Sequence, residues 1–502
     1  MGFRAALGLI VFAYACGGDR SEAGKRCHAD AECGELACSA ELDPLPADLD
    51  PLPLVCASEA AAAVSGDPCE RASDCAQGIC LLAGACALPC RDDHDCDADA
   101  SCVPAYARSA SDRYAALEAC VARVSLPGAV QVAAEVRSGA LRSGTNTLEL
   151  PPPLAATTLY VLEHLDDDSW PVPDDTSACR PPLCASRLAT EGATPNVLFD
   201  RSALADEADG PDNPIATGSQ IVPLDVLVPN GPRAPLSAAG YQIDVEAKQP
   251  GDLRLTRLGR DDEGRRLDLN LYYVGARDLI VSGDRGVPAL SAALDEVERI
   301  FAQADIAIGV VRQSIVTGEL LQRGTPLPDA EVSAGFQDLV TQYGVLPQLP
   351  ELFKLSAGAS NSALDLFFVA DIEASAGDVG GISGGTPVPF GMHGSAGSGI
   401  AIASDMFLSS GDSSALGRTL AHEIGHALGL FHTTELDGTV YDPLPDTPVC
   451  ASSRDANHDG LLDASECAGA GADNLMFPTS DATDSLLTPD QIAVLQRALI
   501  LQ

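Results

Sequence analysis

The sequence predicts a multidomain fold: disulfide-rich N-terminal repeats, then an all-β sandwich, then a C-terminal α/β domain. Three observations predict it. Of 17 cysteines, twelve lie between Cys27 and Cys120. From about residue 125 to 260, short runs rich in Val, Leu, Ile and Thr alternate with clusters of Pro, Gly, Asp and Asn. From about residue 264 the apolar spacing switches between the strand period and the helix period. A chain of 502 residues suits three or four domains at roughly 100–200 residues each. The boundaries fall at a leader (1–16), cysteine repeats (17–124), a sandwich (125–262) and the α/β domain (263–502).

Composition narrows the function. Apolar residues are 46% and charged residues 20%, which excludes a wholly disordered or collagen-like chain. Thirty basic against 72 acidic residues give a net charge of −42, which repels nucleic-acid phosphates and anionic lipid headgroups.

The leader opens with Arg4 and an apolar run, Ala5 to Ala15, of signal-peptide length and too short to span a bilayer. It ends Ala13-Tyr14-Ala15-Cys16, which resembles a bacterial lipobox with Cys16 as the lipidated residue. Ala13 stands where a lipobox carries Leu; the alternative is a soluble secretory signal. The sequence is thus read as exported, either a cell-envelope or outer-membrane lipoprotein or a secreted protein. Its membrane contact is confined to that N-terminal anchor.

The cysteines repeat in fours: Cys27, Cys33, Cys38, Cys56; then Cys69, Cys75, Cys80, Cys86; then Cys90, Cys96, Cys102, Cys120. Each unit opens C-x5-C, with no tight zinc-ribbon pair, so disulfides are expected and an oxidising compartment with them. The units read as a stalk or, alternatively, a surface binding module. In the next region, strands are expected at Gln131–Val136, Thr147–Leu150, Thr158–His164, Gln220–Val228 and Tyr241–Ala247. Asp166-Asp167-Asp168 reads as a solvated turn, and Cys179 with Cys184 as a local disulfide rather than a thiolate cap on a catalytic metal.

In the last region Arg266–Tyr273 alternates like a strand, and Ser291–Ala304 places Leu294, Val297, Ile300 and Phe301 at helical spacing. Ile306–Val311, Leu364–Ala370 and Ser398–Phe407 read as strands and Ala376–Gly399 as a glycine-rich loop. A second helix, capped by Ser413 or Ser414, carries Leu416, Leu420, Ile424 and Leu428 four apart, which makes one apolar stripe.

Away from that stripe lie His422 and His426, also four apart, so both project from one face as two ligands of one metal must. Six residues past His426 a straight helix would have turned about 240°, aiming His432 elsewhere. Gly429 is placed to end the helix and let the chain swing His432 back. Three neutral imidazoles on Zn²⁺ leave a fourth position open, the arrangement of catalytic rather than structural sites. Glu423, between the first two, can take a proton from attacking water and return one to a leaving amine. Chance assembly of this pattern is on the order of 10⁻⁵ for the whole chain.

The string His422-Glu423-Ile424-Gly425-His426-Ala427-Leu428-Gly429-Leu430-Phe431-His432 resembles the long zinc motif of the metzincin metallopeptidases. The resemblance implies a metzincin-like catalytic domain over roughly residues 264–502. It also implies a methionine packed beneath the zinc without ligating it, for which Met476 in Asn474-Leu475-Met476-Phe477-Pro478 is placed. Thr433 and Asp446-Thr447-Pro448 resemble the pappalysin branch that includes ulilysin. Some metzincins carry a tyrosine two residues after the methionine; here Pro478 stands there, and Tyr441 is a weak substitute.

Residues 455–466 match an EF-hand calcium loop: Asp455, Asn457, Asp459, Gly460, the Leu461 carbonyl, apolar Leu462, Asp463 and Glu466 fall at the required positions. Cys450 and Cys467 bracket the loop in place of the usual helices and are expected to clamp it; a plain acidic surface turn is the alternative. His458 reads as exposed, and His393, in the glycine-rich loop, as solvated rather than lining a cleft. Together the sequence reads as an exported zinc endopeptidase acting on protein or peptide substrates, with Ca²⁺ as a second, structural ion. The alternative is a surface binding or adhesion lipoprotein whose metal lobe is not catalytic.

Overall fold

The computed structural model describes residues 38–40, 54–56, 66–70, 74–75, 79–90, 96–97, 100–108, 114–123, 126–165, 183–192, 194–200, 224–232, 236–274, 287–316, 320–321, 338–340, 349–374, 377–395, 397–405, 407, 411–479 and 485–502. Cys16 with its leader, Cys27, Cys33, Asp166 to Asp168 and Cys179 lie outside the described residues.

The N-terminal part is a chain of small hairpins. Strands β1 (Cys38–Ala40) and β2 (Leu54–Cys56) pair with each other, as do β3 (Ile79–Cys80) and β4 (Cys86–Ala87). Longer strands β5 (Ala100–Arg108) and β6 (Tyr114–Ala122) make the third hairpin. Disulfides join Cys69 to Cys80 and Cys75 to Cys86, then Cys90 to Cys102 and Cys96 to Cys120. Both four-cysteine units therefore cross-link first to third and second to fourth, so the repeat seen in spacing is also one of connectivity. Such staples reinforce units with only a small core, here Ile79, Leu81, Ala105, Leu117 and Val121. They fit an exported protein, and among the described residues no helix is long and apolar enough to cross a membrane.

The sandwich has two antiparallel sheets. One runs, in spatial order, β11 (Val197–Asp200), β10 (Leu183–Thr190), β13 (Tyr241–Ala247), β8 (Gly144–Leu150); the other β12 (Leu224–Val228), β9 (Thr157–His164), β14 (Gly251–Arg260), β7 (Gln131–Leu141). Alternate residues of facing strands, among them Leu148, Ile243 and Val245 against Leu162, Val226 and Leu255, form one buried cluster. Tyr241–Ala247 has the expected bounds, three other expected segments lie in β7, β8 and β9, and β12 covers 224–228 of the expected 220–228, whose first four residues lie outside the described residues.

The last region is built on a five-stranded sheet of order β16 (Ala307–Val316), β15 (Arg266–Val274), β19 (Leu364–Val369), β23 (Gly399–Ala403), β22 (Gly381–Ser383). The first four run parallel and β22 is an antiparallel edge. Strand β22 lies inside the stretch read as a glycine-rich loop; three residues are too few to show a period. Helix α1 (Pro288–Phe301) precedes β16. After β17 (Leu320–Leu321) and β18 (Asp338–Val340), helix α2 (Leu349–Phe353) precedes β19. Strands β20 (Asp371–Ala374) and β21 (Gly377–Asp378) join β18 in a small side sheet. Helix α3 (Ser413–Ala427) follows β23, and α4 (Pro489–Gln496) lies near the C-terminus.

Helices α1 and α3 cover one face of the five-stranded sheet. Leu290, Leu294, Val297 and Ile300 meet Leu416, Leu420 and Ile424 over Leu269, Leu366 and Ile402. The other face, with Tyr272, Phe367 and Ala401, is covered by α2 and by Leu82 and Tyr106 of the cysteine hairpins. The sandwich also contributes Leu159, Val161, Leu227 and Leu258 to the cluster that holds α3. Apolar burial thus runs across residues 124 and 262.

Candidate metal centre

Asp412 caps helix α3, its carboxylate accepting the Ala415 N–H at 2.9 Å. The cap is one residue earlier than the serines expected, because the aspartate side chain reaches that orphan donor. Burial of Leu416, Leu420 and Ile424 fixes the helix's roll and turns His422 and His426 to the opposite side. Their rings meet edge to face, centroids 4.7 Å apart.

Gly429 ends the helix with φ of 110°. Its N–H donates to His426 O and the Leu430 N–H to Gly425 O, the paired bonds of a Schellman ending, which a residue with a Cβ closes poorly. The chain then reverses and returns His432. Its Nε2 lies 3.2 Å from that of His422 and 3.1 Å from that of His426. All three ligand atoms lie within 4.8 Å of one another.

The outer nitrogens decide what these inner ones are. His422 Nδ1 lies 2.7 Å from Leu475 O and His426 Nδ1 2.7 Å from Leu430 O. A carbonyl only accepts, so both Nδ1 atoms carry the proton and donate it, and in the neutral ring Nε2 presents a bare lone pair. His432 Nδ1 donates likewise to Glu435 Oε2 at 3.1 Å. Three lone pairs aimed at one point repel unless a cation lies among them. Ligand nitrogens 2.0–2.1 Å from a tetrahedral centre are about 3.3 Å apart, close to the spacing seen. The donor set and its spacing therefore fit a zinc ion. Burial pushes the His422 imidazole down to about 3 and His426 well below its usual value. Both are neutral, as ligands must be.

Glu423 is buried beside them. Burial raises its carboxyl to about 7, against the opposing pull of the Ser383 N–H that it accepts. Edge strand β22 presses on this side chain. A Cβ built at Gly381 would lie 2.7 Å from Glu423 Cγ and 2.9 Å from Ile402 Cδ1. Beneath the helix, Met476 is fully buried, and a Cβ at Gly425 would lie 2.6 Å from its sulfur. Its carbonyl accepts the Thr433 N–H, and its N–H donates to Asn474 Oδ1. The methionine thus sits under the turn that holds the first two histidines and is bonded to the segment that delivers the third.

Cys450 and Cys467 are disulfide-bonded, as expected, and with Leu462 and Phe477 form a small buried cluster beside Met476. In the loop between them, Asp455 accepts the His458 and Gly460 N–H groups, Asn457 that of Asp459, and Asp459 that of Leu461. Glu466 accepts from Ala456, Asn457 and Asp463, and the Asp463 carboxylate from Ser465 and Glu466. His458 is exposed. Tyr441 donates its hydroxyl to Gly438 O at 2.7 Å, so it closes a turn. Cys184 is disulfide-bonded, which removes it as a thiolate cap.

His393 corrects the expectation of a solvated side chain. It is buried, with Nδ1 2.6 Å from Asp365 Oδ2 and Nε2 2.7 Å from Asn361 O. A ring that donates from both nitrogens is an imidazolium, and it ties the glycine-rich segment to β19. Sequence reasoning also passed over Glu435, Gly381 and Ser383. Glu435 stands three residues after His432, a spacing that carries no signal outside a helix, and the other two depend on strand pairing.

No protein-family model matches the chain, and none of the curated proteins does. Among solved structures it is similar to metalloproteinase-II from Bacteroides fragilis at 13% identity, over 39% of this chain and 59% of that one, with a TM-score of 0.20. It is also similar to a zinc-dependent peptidase from Methanocorpusculum labreanum (strain Z) at 16% identity, over 34% of this chain and 87% of that one, with a TM-score of 0.18.

Proposed function

We propose that this chain is an exported zinc-dependent endopeptidase with a metzincin-like catalytic region, acting on protein or peptide substrates. The observation that carries the reading is the convergence of three Nε2 lone pairs, spaced 3.1–3.2 Å from His432 outward, beside a buried carboxylate. His422, His426 and His432 are the ligands. Zinc held there supplies a Lewis acid for the scissile carbonyl and lowers the pKa of water. Glu423 is the general base: its buried carboxylate accepts a proton from the attacking water and then gives it up to the leaving amine. The Ser383 N–H holds that carboxylate in place. Met476 keeps the helix and the returning segment in register.

The same reading covers the outlying parts. The domain boundaries, the anchor at Cys16 and the pappalysin-like branch rest on the sequence. Ca²⁺ in the 455–466 loop, with Asp455, Asn457, Asp459, the Leu461 carbonyl, Asp463 and Glu466 as ligands, would order the approach to Met476. The central test is Glu423→Ala in the full chain, incubated with a mixed peptide library and compared with wild type by mass spectrometry. The variant should bind zinc in equal amount and leave the peptides intact, while the wild type cuts them and stops on addition of a chelator. Equal cutting by the variant would remove Glu423 from the chemistry, and zinc uptake with no cutting by the wild type would favour the binding protein.

A further inference from the structure

The three histidines are not held alike. His422 and His426 stand on α3, and each donates its outer N–H to a neutral backbone carbonyl. His432 stands past the helix break, on irregular chain, and its outer nitrogen meets a carboxylate instead. The segment carrying that carboxylate is fixed. The Glu435 N–H donates to Val440 O and the Gly438 N–H to Glu435 O, and Thr434 bridges to Tyr441. Gly438, with φ of 70°, closes the turn where a Cβ would lie 2.4 Å from Ser452 N. The turn is fastened in turn to the disulfide-bracketed loop, because Ser452 N–H donates to Gly438 O and Leu462 N–H to Leu436 O.

We propose that Glu435 is a positioning residue for metal binding: by accepting the Nδ1 proton of His432, it holds that imidazole in the tautomer and orientation that aim Nε2 at the metal, and so raises zinc affinity. This deepens the zinc reading above and rests on it. A ring on irregular chain has more freedom to lose than one on a helix, so it gains most from a partner. The carboxylate contact is longer than the two carbonyl contacts, 3.1 against 2.7 Å, and Glu435 is half exposed, but its acceptor carries a charge where the carbonyls carry only a dipole. A carboxylate behind the ring also makes Nε2 a better donor to a cation and offsets part of the charge that three neutral ligands leave uncompensated.

The test is zinc affinity of the full chain, measured by competition with a chromogenic chelator, for wild type, Glu435→Ala, Glu435→Gln and Asp437→Asn. Glu435→Ala should bind zinc about 10–100-fold more weakly. Glu435→Gln, which keeps an acceptor and loses the charge, should fall between. Asp437→Asn removes a neighbouring charge on the same turn without touching His432 and should match wild type. The visible spectrum of the Co²⁺-loaded protein should shift for Glu435→Ala and not for Asp437→Asn. If Glu435→Ala fails to fold, the near-isosteric Glu435→Gln decides. Zinc affinity within twofold of wild type in the folded Glu435 variants would overturn the proposal while leaving the zinc reading intact. A wild type that takes up no zinc would overturn both.

Discussion

Gly381 gives the sharpest test of how the fold positions Glu423. Replacing it with alanine adds one methyl group 2.7 Å from Glu423 Cγ, 3.3 Å from Glu423 Cδ and 2.9 Å from Ile402 Cδ1. Carbon atoms in contact sit about 3.5–4.0 Å apart, so close to 1 Å must be found. Ile402 is fully buried on β23, and β22 is bonded to that strand, so the glutamate side chain is the softer party. A carboxylate displaced by about 1 Å costs on the order of a hundredfold in rate, or about 2.7 kcal/mol of barrier. Zinc content should not change, because the three atoms nearest the new methyl belong to Glu423 and Ile402 and to no ligand. The assay is kcat on a fluorogenic peptide identified from the library digest, with zinc measured on the same sample. A second readout is stability: overpacking should cost about 1–3 kcal/mol, and the share due to Glu423 should vanish in a Glu423→Ala background, where Cγ and Cδ are gone and only the Ile402 contact remains. A zinc-loaded Gly381→Ala variant with wild-type kcat would refute the argument, and so would an equal stability penalty in both backgrounds.

Two further outcomes follow from charged groups elsewhere. His393 has a pKa raised above its usual value: burial pulls it down, but the Asp365 charge and the bonds to Asp365 and Asn361 outweigh that. A raised folded value means the stabilisation is complete below the unfolded pKa of about 6.5 and is lost as pH rises through the folded one. Urea midpoints should therefore fall with rising pH above about 6.5, and His393→Gln should flatten that slope; parallel curves for the two proteins would contradict the pairing. For the 455–466 loop, Ca²⁺ added to zinc-saturated protein should raise the thermal midpoint, with about 2.7 kcal/mol gained at a hundred times Kd. Asp455→Asn with Asp459→Asn should abolish the gain, and an unmoved wild-type midpoint would dismiss calcium.

Much of the centre could be read before any coordinates. His422 and His426 follow from helical spacing, and the returning His432 from the glycine at 429. Met476 came from family resemblance, not from any period. Five of the eight sandwich strands were legible because their apolar runs are bounded by turn residues, while β10, β11 and β14 were not singled out. What escaped has a common cause. Strand β22, the contact of Gly381 with Glu423 and the burial of His393 against Asp365 are made by segments 20 to 50 residues apart that meet only once the sheet is assembled. Glu435 escaped for a different reason: a bend, not a period, brings it to His432. The cap at Asp412 rather than Ser413 or Ser414 shows the usual uncertainty of one residue at helix ends.

The placement of Leu227 bears on how such a chain can be taken apart. It leaves the sandwich to lie in the cluster that holds α3, and a Cβ at Gly429 would come within 3.2 Å of its Cδ2. A fragment begun at residue 263 would leave that flank of the helix's last turn wet, at the bend on which His432 depends. A foreign sandwich grafted in its place would have to offer a leucine at the same spot. The two halves are therefore expected to drift together through descent, each constraining the other at a single apolar seam.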